Sequence, residues 1–365
     1  MGERLWVGLD VGVHMTSACV LNSAGETMLE QDFATSVATV DAILRPLCCD
    51  KMGVIGMEAG STSIHLARGL RRLEYQVAVF ECRQVSAYLG IRKNKTDRND
   101  ARGIAEVARL GRGTVSEVAI KSLASQRIRS MLVTRQHLLR MRVGGEAGIN
   151  ALFHLYGGKL PRSTSTAVLR RNTLTEIARL QRDERVDLKE DIEPILDLCG
   201  RLRAQIENLD QSLAAMASEN EVCQRFMGIP GVGPITALSF YSAVDDPERF
   251  RRSADAGPYL GLVPRVRQSG GTVARFRISK TGNTMTRQHL VGAAMVILRA
   301  TTKESELKKW GLGLRERRGW GKARVAVARK LSSVMLAMWK NGSEFNPSPR
   351  KRTPIGNGLA EINSP

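Results

Sequence analysis

The strongest constraint on the fold is the alternation of short apolar strands with amphipathic helices in the first eighty residues. Residues 4–21 alternate apolar runs with glycine, which predicts two antiparallel strands joined by a turn through Gly12. A third strand is predicted over residues 26–34. The later elements are a helix over residues 41–49, a strand over 54–60, a helix over 61–72 and a strand over 76–80. This order predicts an α/β sheet with an antiparallel start.

Two acidic residues stand at or near the ends of predicted strands. Asp10 ends the first apolar run, and Glu58 ends the short strand within VIGMEAG. Open α/β sheets place their sites at strand ends, and a buried carboxylate without a partner is costly. A simpler role is open for each acid, with Asp10 capping the turn and Glu58 facing solvent.

A second pair of acids lies in KTDRNDARGIA, where Asp97 and Asp100 are three positions apart in a basic, helical run. That spacing places both carboxylates on one face of a helix, where they repel each other unless a cation lies between them. The alternative is a solvated helix start with one of these acids as the N-cap. Four converging carboxylates would hold two Mg²⁺ ions, or Mn²⁺ in their place, in the arrangement used for displacement at a phosphodiester.

The motifs GLDVG, GMEAG and KTDRNDA, in this order and spacing, resemble those of the insertion-sequence transposases with an Asp-Glu-Asp-Asp site, relatives of the Piv DNA invertase. The first motif is also similar to the D-x-G strand of actin-like and sugar kinases, but a kinase explains neither KTDRNDA nor the charge of the chain. The resemblance implies a RuvC-type, ribonuclease-H-like domain. Its catalytic and metal-binding residues would be Asp10, Glu58, Asp97 and Asp100.

The charge of the chain indicates a polyanionic partner. Its formal net charge is +19, from 55 Lys and Arg against 36 Asp and Glu, and nucleic acid is the commonest partner of such a chain. A membrane surface is the competing polyanion, but there is no run of about 18 apolar residues and no signal peptide. We therefore expect a cytoplasmic, nucleoid-associated protein without membrane contact. The six cysteines lack zinc spacing and are expected to be free thiols.

Residues 104–156 have a helical pattern, and the stretch 120–142 carries Lys and Arg without any acid. Such a helix can follow a phosphate backbone, because each contact releases counterions. A solvated face is the alternative, although such a face usually carries both signs. We assign nucleic-acid binding to Arg127, Arg135 and Arg142.

A seam of apolar residues at alternating spacings of four and three runs from Leu188 to Met216. Pro194 and Gly200 predict that its regular helix begins near Arg201. The seam can pack against another helix of the same chain or mediate self-association. We favour self-association as a dimer or tetramer, because strand exchange needs more than one active site.

The PGVGP sequence at residues 230–234 lies between two apolar helical stretches and resembles a helix-hairpin-helix. In that motif Gly231 and Gly233 would let backbone amides approach a phosphate. An ordinary Pro-Gly turn is the alternative.

Further along the chain, Ser269 stands before two glycines among basic residues, which are Arg265, Arg267, Arg275 and Lys280. These cations could stabilise an attacked phosphate, and we include them among the nucleic-acid-binding residues. From the residues alone, a hairpin turn between two basic strands is the more direct interpretation. GLVPR, SGG and ISK, however, resemble the C-terminal transposase domain of the same family, whose serine is the nucleophile. The resemblance assigns that role to Ser269, with Ser279 as a weaker candidate.

These patterns, together with what the resemblance implies, predict an α/β plus α chain in four segments. They are a RuvC-like catalytic domain over residues 1–160, a coiled-coil segment over 161–222, a mainly helical transposase domain over 223–340 and a disordered tail over 341–365. The resemblance implies a transposase that cleaves and exchanges double-stranded donor and target DNA, guided by a structured bridge RNA. A RuvC-type junction-resolving nuclease would need the acids without the serine, and a non-catalytic nucleic-acid-binding protein would need only the cations.

Overall fold

The computed structural model describes residues 4–47, 52–90, 96–111, 113, 115–269 and 272–348. The chain forms two compact units, Met1–Ile120 and Lys121–Pro365, each with its own apolar core. The first unit contains β1 (Leu5–Val11), β2 (Met15–Leu21), β3 (Thr27–Ala34), α1 (Val37–Leu44), β4 (Met52–Glu58), α2 (Ser61–Arg72), β5 (Val77–Phe80), α3 (Cys82–Leu89) and α4 (Asp97–Leu110).

The strands of the first unit form one five-stranded sheet in the order β3-β2-β1-β4-β5. β1, β2 and β3 are antiparallel neighbours, whereas β4 and β5 run parallel to β1. Alternate apolar residues of the central strands, such as Val7, Leu9 and Ile55, are fully buried. The predicted α/β sheet with an antiparallel start is therefore confirmed, and its order fits a ribonuclease-H-like domain.

Two glycines bring α4 close to the opposite face of this sheet. A Cβ atom on Gly8 would lie 2.0 Å from the carbonyl oxygen of Ala101 in α4. On the neighbouring strand, a Cβ atom on Gly56 would lie 3.1 Å from the Cβ atom of Ala108. Because any side chain at Gly8 would collide with helix backbone, glycine there is a condition of the packing.

The second unit is mainly helical. Its elements are α5 (Leu123–Leu155), α6 (Thr166–Asp183), α7 (Lys189–Glu219), α8 (Glu221–Met227), α9 (Pro234–Val244), α10 (Ala256–Tyr259), β6 (Pro264–Ser269), β7 (Thr272–Ile278), α11 (Thr284–Arg299) and α12 (Glu306–Asn341), which is kinked at Gly319. The large core of this unit is built around Phe226 and Phe240, whose rings meet edge to face at 5.5 Å.

The predicted continuous helix over residues 104–156 is wrong over residues 111–122, which separate two helices. α4 ends before Gly111, where φ is +88°, and Gly113 also adopts a positive φ of +128°. The chain then extends along the sheet, where Glu117 bridges to Phe80, and α5 begins only after Ser122. Left-handed backbone at two glycines therefore interrupts the helical pattern.

The apolar seam lies on α7 and packs within its own chain. Ile192, Leu196 and Cys199 are buried in a cluster with residues of α5 and α6, which include Ile149, Phe153 and Leu169. α7 is also one helix from Lys189 onwards, so the predicted helix start near Arg201 is wrong. Pro194 lies in the second turn, where it removes only one backbone hydrogen bond. Of the two interpretations of the seam, intrachain packing accounts for these buried residues.

The unit boundary differs from the predicted first domain, 1–160, because α5 packs with the helices of the second unit. The predicted tail also begins with ordered structure. The carbonyl oxygen of Pro347 accepts a hydrogen bond of 2.8 Å from Glu306, and Phe345 packs against the core. Residues 349–365 of that tail lie outside the described residues.

Across the described ranges, none of the helices combines the length and the apolar character needed to span a membrane. Four cysteines are free thiols, namely Cys19, Cys82, Cys199 and Cys223. The other two, Cys48 and Cys49, fall outside the described residues.

Candidate active site

The register of the sheet places Asp10 beside Glu58. β1 and β4 are parallel, and Leu9 is paired with Met57, so the two acids follow at the same level on neighbouring strands. Side chains two residues apart share a face of a strand, so both acids lie on the face where Gly8 and Gly56 admit α4. In each of the G-x-D and G-x-E motifs, the glycine therefore allows α4 to pack closely, and the acid two residues later lies at the end of the strand.

The first turn of α4 carries the other two acids, Asp97 and Asp100. Thr96 caps this helix by accepting a hydrogen bond of 3.2 Å from the amide of Asn99, so neither acid is needed as the N-cap. The positive end of the helix dipole favours carboxylates in this turn. Asp97 is exposed and Asp100 is half-buried.

Asp10 and Asp97 meet at one cavity of about 500 Å³. Its other lining residues include Ser17, Asp32 and Thr96, all with oxygen atoms in their side chains. Glu58 lies instead beside Cys82, whose thiol donates to the carbonyl oxygen of Ala59 over 2.8 Å. Burial, and then the Glu58 carboxylate, raise the pKa of that thiol.

The described residues contain no cluster of three or more His, Cys, Asp or Glu arranged to hold a metal ion. The structure thus joins two of the four predicted acids, Asp10 and Asp97, at one cavity, whereas Glu58 and Asp100 lie on neighbouring positions outside it. Two carboxylates still fit Mg²⁺ in kind, because this ion keeps several waters and is commonly bound by one or two carboxylates plus the phosphates of a substrate.

Asp32 is a residue of this cavity that the sequence analysis missed. It accepts a hydrogen bond of 2.7 Å from the hydroxyl of Ser17. It also forms an ion pair of 2.9 Å with Arg98, the residue that follows Asp97. The hydrogen bond with Ser17 and the contact with Arg98 lower the pKa of Asp32. This pair ties the start of α4 to β3. The signal in sequence was an acid among the exposed positions of β3, which alone is unspecific.

The predicted basic residues of α5 have different surroundings. Arg127 is exposed. Arg135 pairs with Asp210 of α7, with 3.0 Å between Nη2 and Oδ2, and Arg142 pairs with Glu146 at 3.0 Å. The stretch 120–142 contains no acid, but Glu146 of the next helical turn and Asp210 of α7 supply carboxylates to it. Two of its three assigned cations therefore carry intrachain ion pairs.

The PGVGP sequence forms a turn between α8 and α9, as the helix-hairpin-helix interpretation requires. Gly231 has a φ of +93°, and a Cβ atom there would lie 3.2 Å from the carbonyl oxygen of Ala293 in α11. Gly233 is exposed and precedes Pro234 at the start of α9. Gly231 thus faces the core, and Gly233 is the accessible glycine of the pair.

Ser269 ends β6, which pairs with β7 in an antiparallel hairpin. The side chains of Ser269, Arg267 and Arg275 lie outside what the structure describes, as do Gly270 and Gly271. At the base of the hairpin, Arg265 donates to the carbonyl oxygen of Ser279 over 3.1 Å. The Ser279 hydroxyl lies 2.9 Å from that of Thr281, and the exposed Lys280 has a φ of +57°.

Two family models match the chain. Residues 7–156 match the DEDD transposase model of the IS110 group, described as "Transposase". Residues 223–309 match a model described as "Transposase IS116/IS110/IS902 family". The first match includes all four predicted acids, and the second includes Ser269 and the turn at residues 230–234.

Several curated transposases are similar over most of the chain. The transposase for insertion sequence element IS1111A of Coxiella burnetii is 31% identical over 91% of this chain and 88% of its own length. A probable family 20 transposase of Pseudomonas aeruginosa is 28% identical over 80% of this chain and 86% of its own length. The transposase for IS1328 of Yersinia enterocolitica is 26% identical over 93% of this chain and 98% of its own length.

Among solved structures, the chain is similar to T. thermophilus RuvC in complex with a Holliday junction substrate. The two are 15% identical, with a TM-score of 0.25, and the match covers 32% of this chain and 99% of that chain.

Proposed function

The chain belongs to the IS116/IS110/IS902 transposase family, and from that premise we propose that its Asp-Glu-Asp-Asp residues form a metal-dependent site for DNA strand cleavage. The observation that carries this proposal is the cavity shared by Asp10 and Asp97. Asp10 comes from the end of a central strand, and Asp97 comes from the start of the helix that covers it. Acids from two distant sequence motifs therefore meet where open sheets of this type place their sites.

Asp10 and Asp97 would hold the ion, and Glu58 and Asp100 would complete the site from the neighbouring strand and helix turn. When bound, Mg²⁺ or Mn²⁺ supplies electrostatic stabilisation of a phosphodiester under attack. The chain's own contribution is orientation. Gly8 fixes the separation of α4 from the sheet, and the pair of Arg98 with Asp32 holds the turn that carries Asp97.

We assign the nucleophile to Ser269. Its hydroxyl would lose its proton as its Oγ atom forms a bond to the phosphorus, and the bond from phosphorus to the 3′ oxygen would break. The released 3′ oxygen takes up a proton, and the covalent phosphoserine is resolved when a second strand end attacks it. The family resemblance of the hairpin motifs supports this assignment, with Ser279 as the weaker candidate.

The partners of the reaction are double-stranded donor and target DNA and, by family resemblance, a structured bridge RNA. In such a division of labour, base pairing reads sequence and the protein reads shape. A dimer or tetramer would bring together the several active sites that strand exchange needs. The segment boundaries at residues 222 and 340 remain predictions. Sequencing the RNA that copurifies with the chain tests whether it binds a guide RNA. Absence of a defined RNA would refute it.

Recombination between element ends in cells tests the whole proposal. We expect Asp97→Asn and Ser269→Ala each to abolish recombination while the protein still binds DNA. Full recombination by either variant would refute the role assigned to that residue. If Ser269→Ala retains Mg²⁺-dependent hydrolysis at the wild-type rate, the chain acts instead as a junction-resolving nuclease.

A further inference from the structure

The second unit contains a cavity of about 460 Å³ between the first half of α5 and the start of α11. α5 supplies Arg129, Gln136 and Arg140, and the α11 side supplies Asn283 and Gln288. The remaining lining residues are Lys121, Val133, His137, Tyr259, Gly282, Thr284 and Met285. We call this space the cationic cavity.

Its charge is unbalanced. Lys121, Arg129 and Arg140 all line the cavity, and none of its described lining residues is acidic. Within the described parts of the chain, neither Arg129 nor Arg140 lies within 4.0 Å of a carboxylate oxygen. Arg135 and Arg142 of the same helix differ, because Asp210 and Glu146 neutralise them. Two arginines of α5 that no described carboxylate neutralises, Arg129 and Arg140, therefore line the cavity.

The surroundings of Lys121 also indicate that positive charges are crowded at this cavity. Its ammonium group donates to the carbonyl oxygens of Ser242 and Ala243, which hold it at the cavity wall. Burial, and then the neighbouring Arg249 and Arg129, lower the pKa of Lys121 to about 7, against a smaller opposing effect of Asp245. An anion in the cavity would relieve this repulsion, because an opposite charge stabilises each of these cations.

The uncharged lining residues suit an oxyanion. Gln136, Asn283 and Gln288 carry amide groups that can donate to phosphate oxygens, and Thr284 carries a hydroxyl. Arginine can bind a phosphate with two parallel hydrogen bonds, which makes Arg129 and Arg140 the anchors of such a site. The volume is large enough for a phosphate with its attached sugar.

We propose that the cationic cavity binds a phosphodiester group of a nucleic-acid backbone through Arg129 and Arg140. The proposal rests on the proposed function, since it names a second place where the transposase holds its substrate or guide. A backbone phosphate carries no sequence information, so the cavity would fix register and orientation rather than select a sequence. The same chemistry serves DNA and RNA, and the experiment separates the two sources.

The test is binding of the full chain to a labelled DNA duplex and, separately, to a labelled RNA hairpin, measured by fluorescence anisotropy over a series of NaCl concentrations. EDTA is present throughout, so that cleavage plays no part. The first comparison sets Arg140→Gln against Arg171→Gln, which removes the same charge from an exposed position of α6. The second sets Gln136→Glu against Gln211→Glu, an exposed position of α7. Each pair thus matches the change in net charge.

We expect Arg140→Gln to reduce the slope of log K against log salt concentration by about 0.9, which corresponds to the loss of one phosphate contact. Arg171→Gln should leave the slope unchanged. Gln136→Glu should weaken binding several-fold more than its control, because it introduces a carboxylate among the cations. Loss with the duplex alone identifies DNA as the source, and loss with the hairpin alone identifies RNA. Circular dichroism verifies that each variant is folded.

Equal slopes and affinities for the cavity variants and their controls, with both nucleic acids, would overturn the cationic cavity as a phosphate site. That outcome would leave the proposed function intact if the wild type still recombines element ends. The proposed function itself fails separately, if the folded wild type binds neither nucleic acid and supports no recombination.

Discussion

The two units of the chain each contain a polar cavity, and the two cavities have opposite charge. In the first unit, Asp10 and Asp97 line a cavity between strand ends and the start of α4. In the second unit, Arg129 and Arg140 line a cavity between two helices. The first suits a cation and the second an anion. A metal-dependent enzyme acting on nucleic acid needs both, one for chemistry and one for holding the backbone.

The comparison also teaches how each site is encoded. The acids stand in short motifs with the glycines that bring α4 to the sheet, so their roles are local in sequence. The neutralisation of Arg135 on α5 depends on the fold, because its partner Asp210 is 75 positions away. Local motifs thus identify the acidic site, whereas the basic site emerges from tertiary contacts.

The largest expected effect separates chemistry from binding. Asp10→Asn should reduce DNA strand cleavage by at least about 100-fold, or about 3 kcal/mol, because it removes a charged ligand while keeping the side chain's shape. Its affinity for DNA should change little. Arg140→Gln should do the reverse, with weaker binding and normal cleavage at saturating protein. The measurements are the cleavage rate and the DNA affinity of each variant. If each variant loses both properties to the same extent, the two cavities do not have separate roles.

The next effect concerns the scaffold of the acidic site. Gly8→Val should lower the free energy of unfolding by about 3 kcal/mol, because its side chain would collide with the backbone of α4. The comparison change is Gly144→Ala on α5, where no described atom lies within 4 Å of the new Cβ apart from the neighbouring residues and backbone of its own helix. This control should stabilise the protein by up to about 1 kcal/mol. Urea unfolding of both variants provides the measurement, and a wild-type stability for Gly8→Val would contradict the packing.

A third prediction distinguishes the units by pH. Burial, and then Arg135, lower the pKa of His289 from 6.5 to about 4, and its Nδ1 atom has no hydrogen-bond partner among the described residues. The unfolded chain binds this proton more tightly, so the second unit should lose stability as the pH falls from 6.5 to 4, by roughly 2 kcal/mol.

In the first unit, by contrast, the pKa of Asp32 is lowered by Ser17 and Arg98. The stability that it contributes is lost only as the pH falls below its unfolded value of 3.8, through its folded pKa. Thermal melts across this range should therefore reveal loss in the second unit first. His289→Gln should remove the loss between pH 6.5 and 4, and an unchanged melt profile in this variant would count against the assignment.

The smallest expected effect is on the pair of Asp32 with Arg98. Both side chains are partly exposed, at 37% and 61%, so breaking the pair should change the free energy of unfolding very little. Because the pair holds the turn that carries Asp97, Asp32→Asn should instead raise the Mg²⁺ concentration needed for half-maximal cleavage by a few-fold. A double-mutant cycle with Arg98→Gln checks this, and additive effects would show that the pair has no positioning role.

The sequence predicted the sheet of the first unit well, because strand alternation and glycine punctuation are local signals. It also identified Asp10 and Asp97, which the fold brings to one cavity. It missed Asp32, since an acid on an exposed strand position has no distinguishing pattern. The break after Leu110 was missed because two glycines within a helical pattern do not reveal their left-handed backbone.

The seam on α7 illustrates a further limit. Its periodicity correctly predicts a buried helical face, but periodicity cannot tell a partner helix in the same chain from one in another chain. The fold supplies α5 and α6 as the partners. The same reasoning applies to Arg135, whose charge was visible in sequence and whose neutralising acid, Asp210, lies on a distant helix.

The central claim is that Asp10 and Asp97 hold the divalent ion that the reaction needs. Its most direct test is the electron paramagnetic resonance signal of free Mn²⁺, titrated into the protein bound to duplex DNA. We predict that the wild-type complex removes free Mn²⁺ from solution beyond what the DNA alone binds, and that the folded Asp10→Asn/Asp97→Asn complex does not. Equal Mn²⁺ uptake by the two complexes would contradict the account.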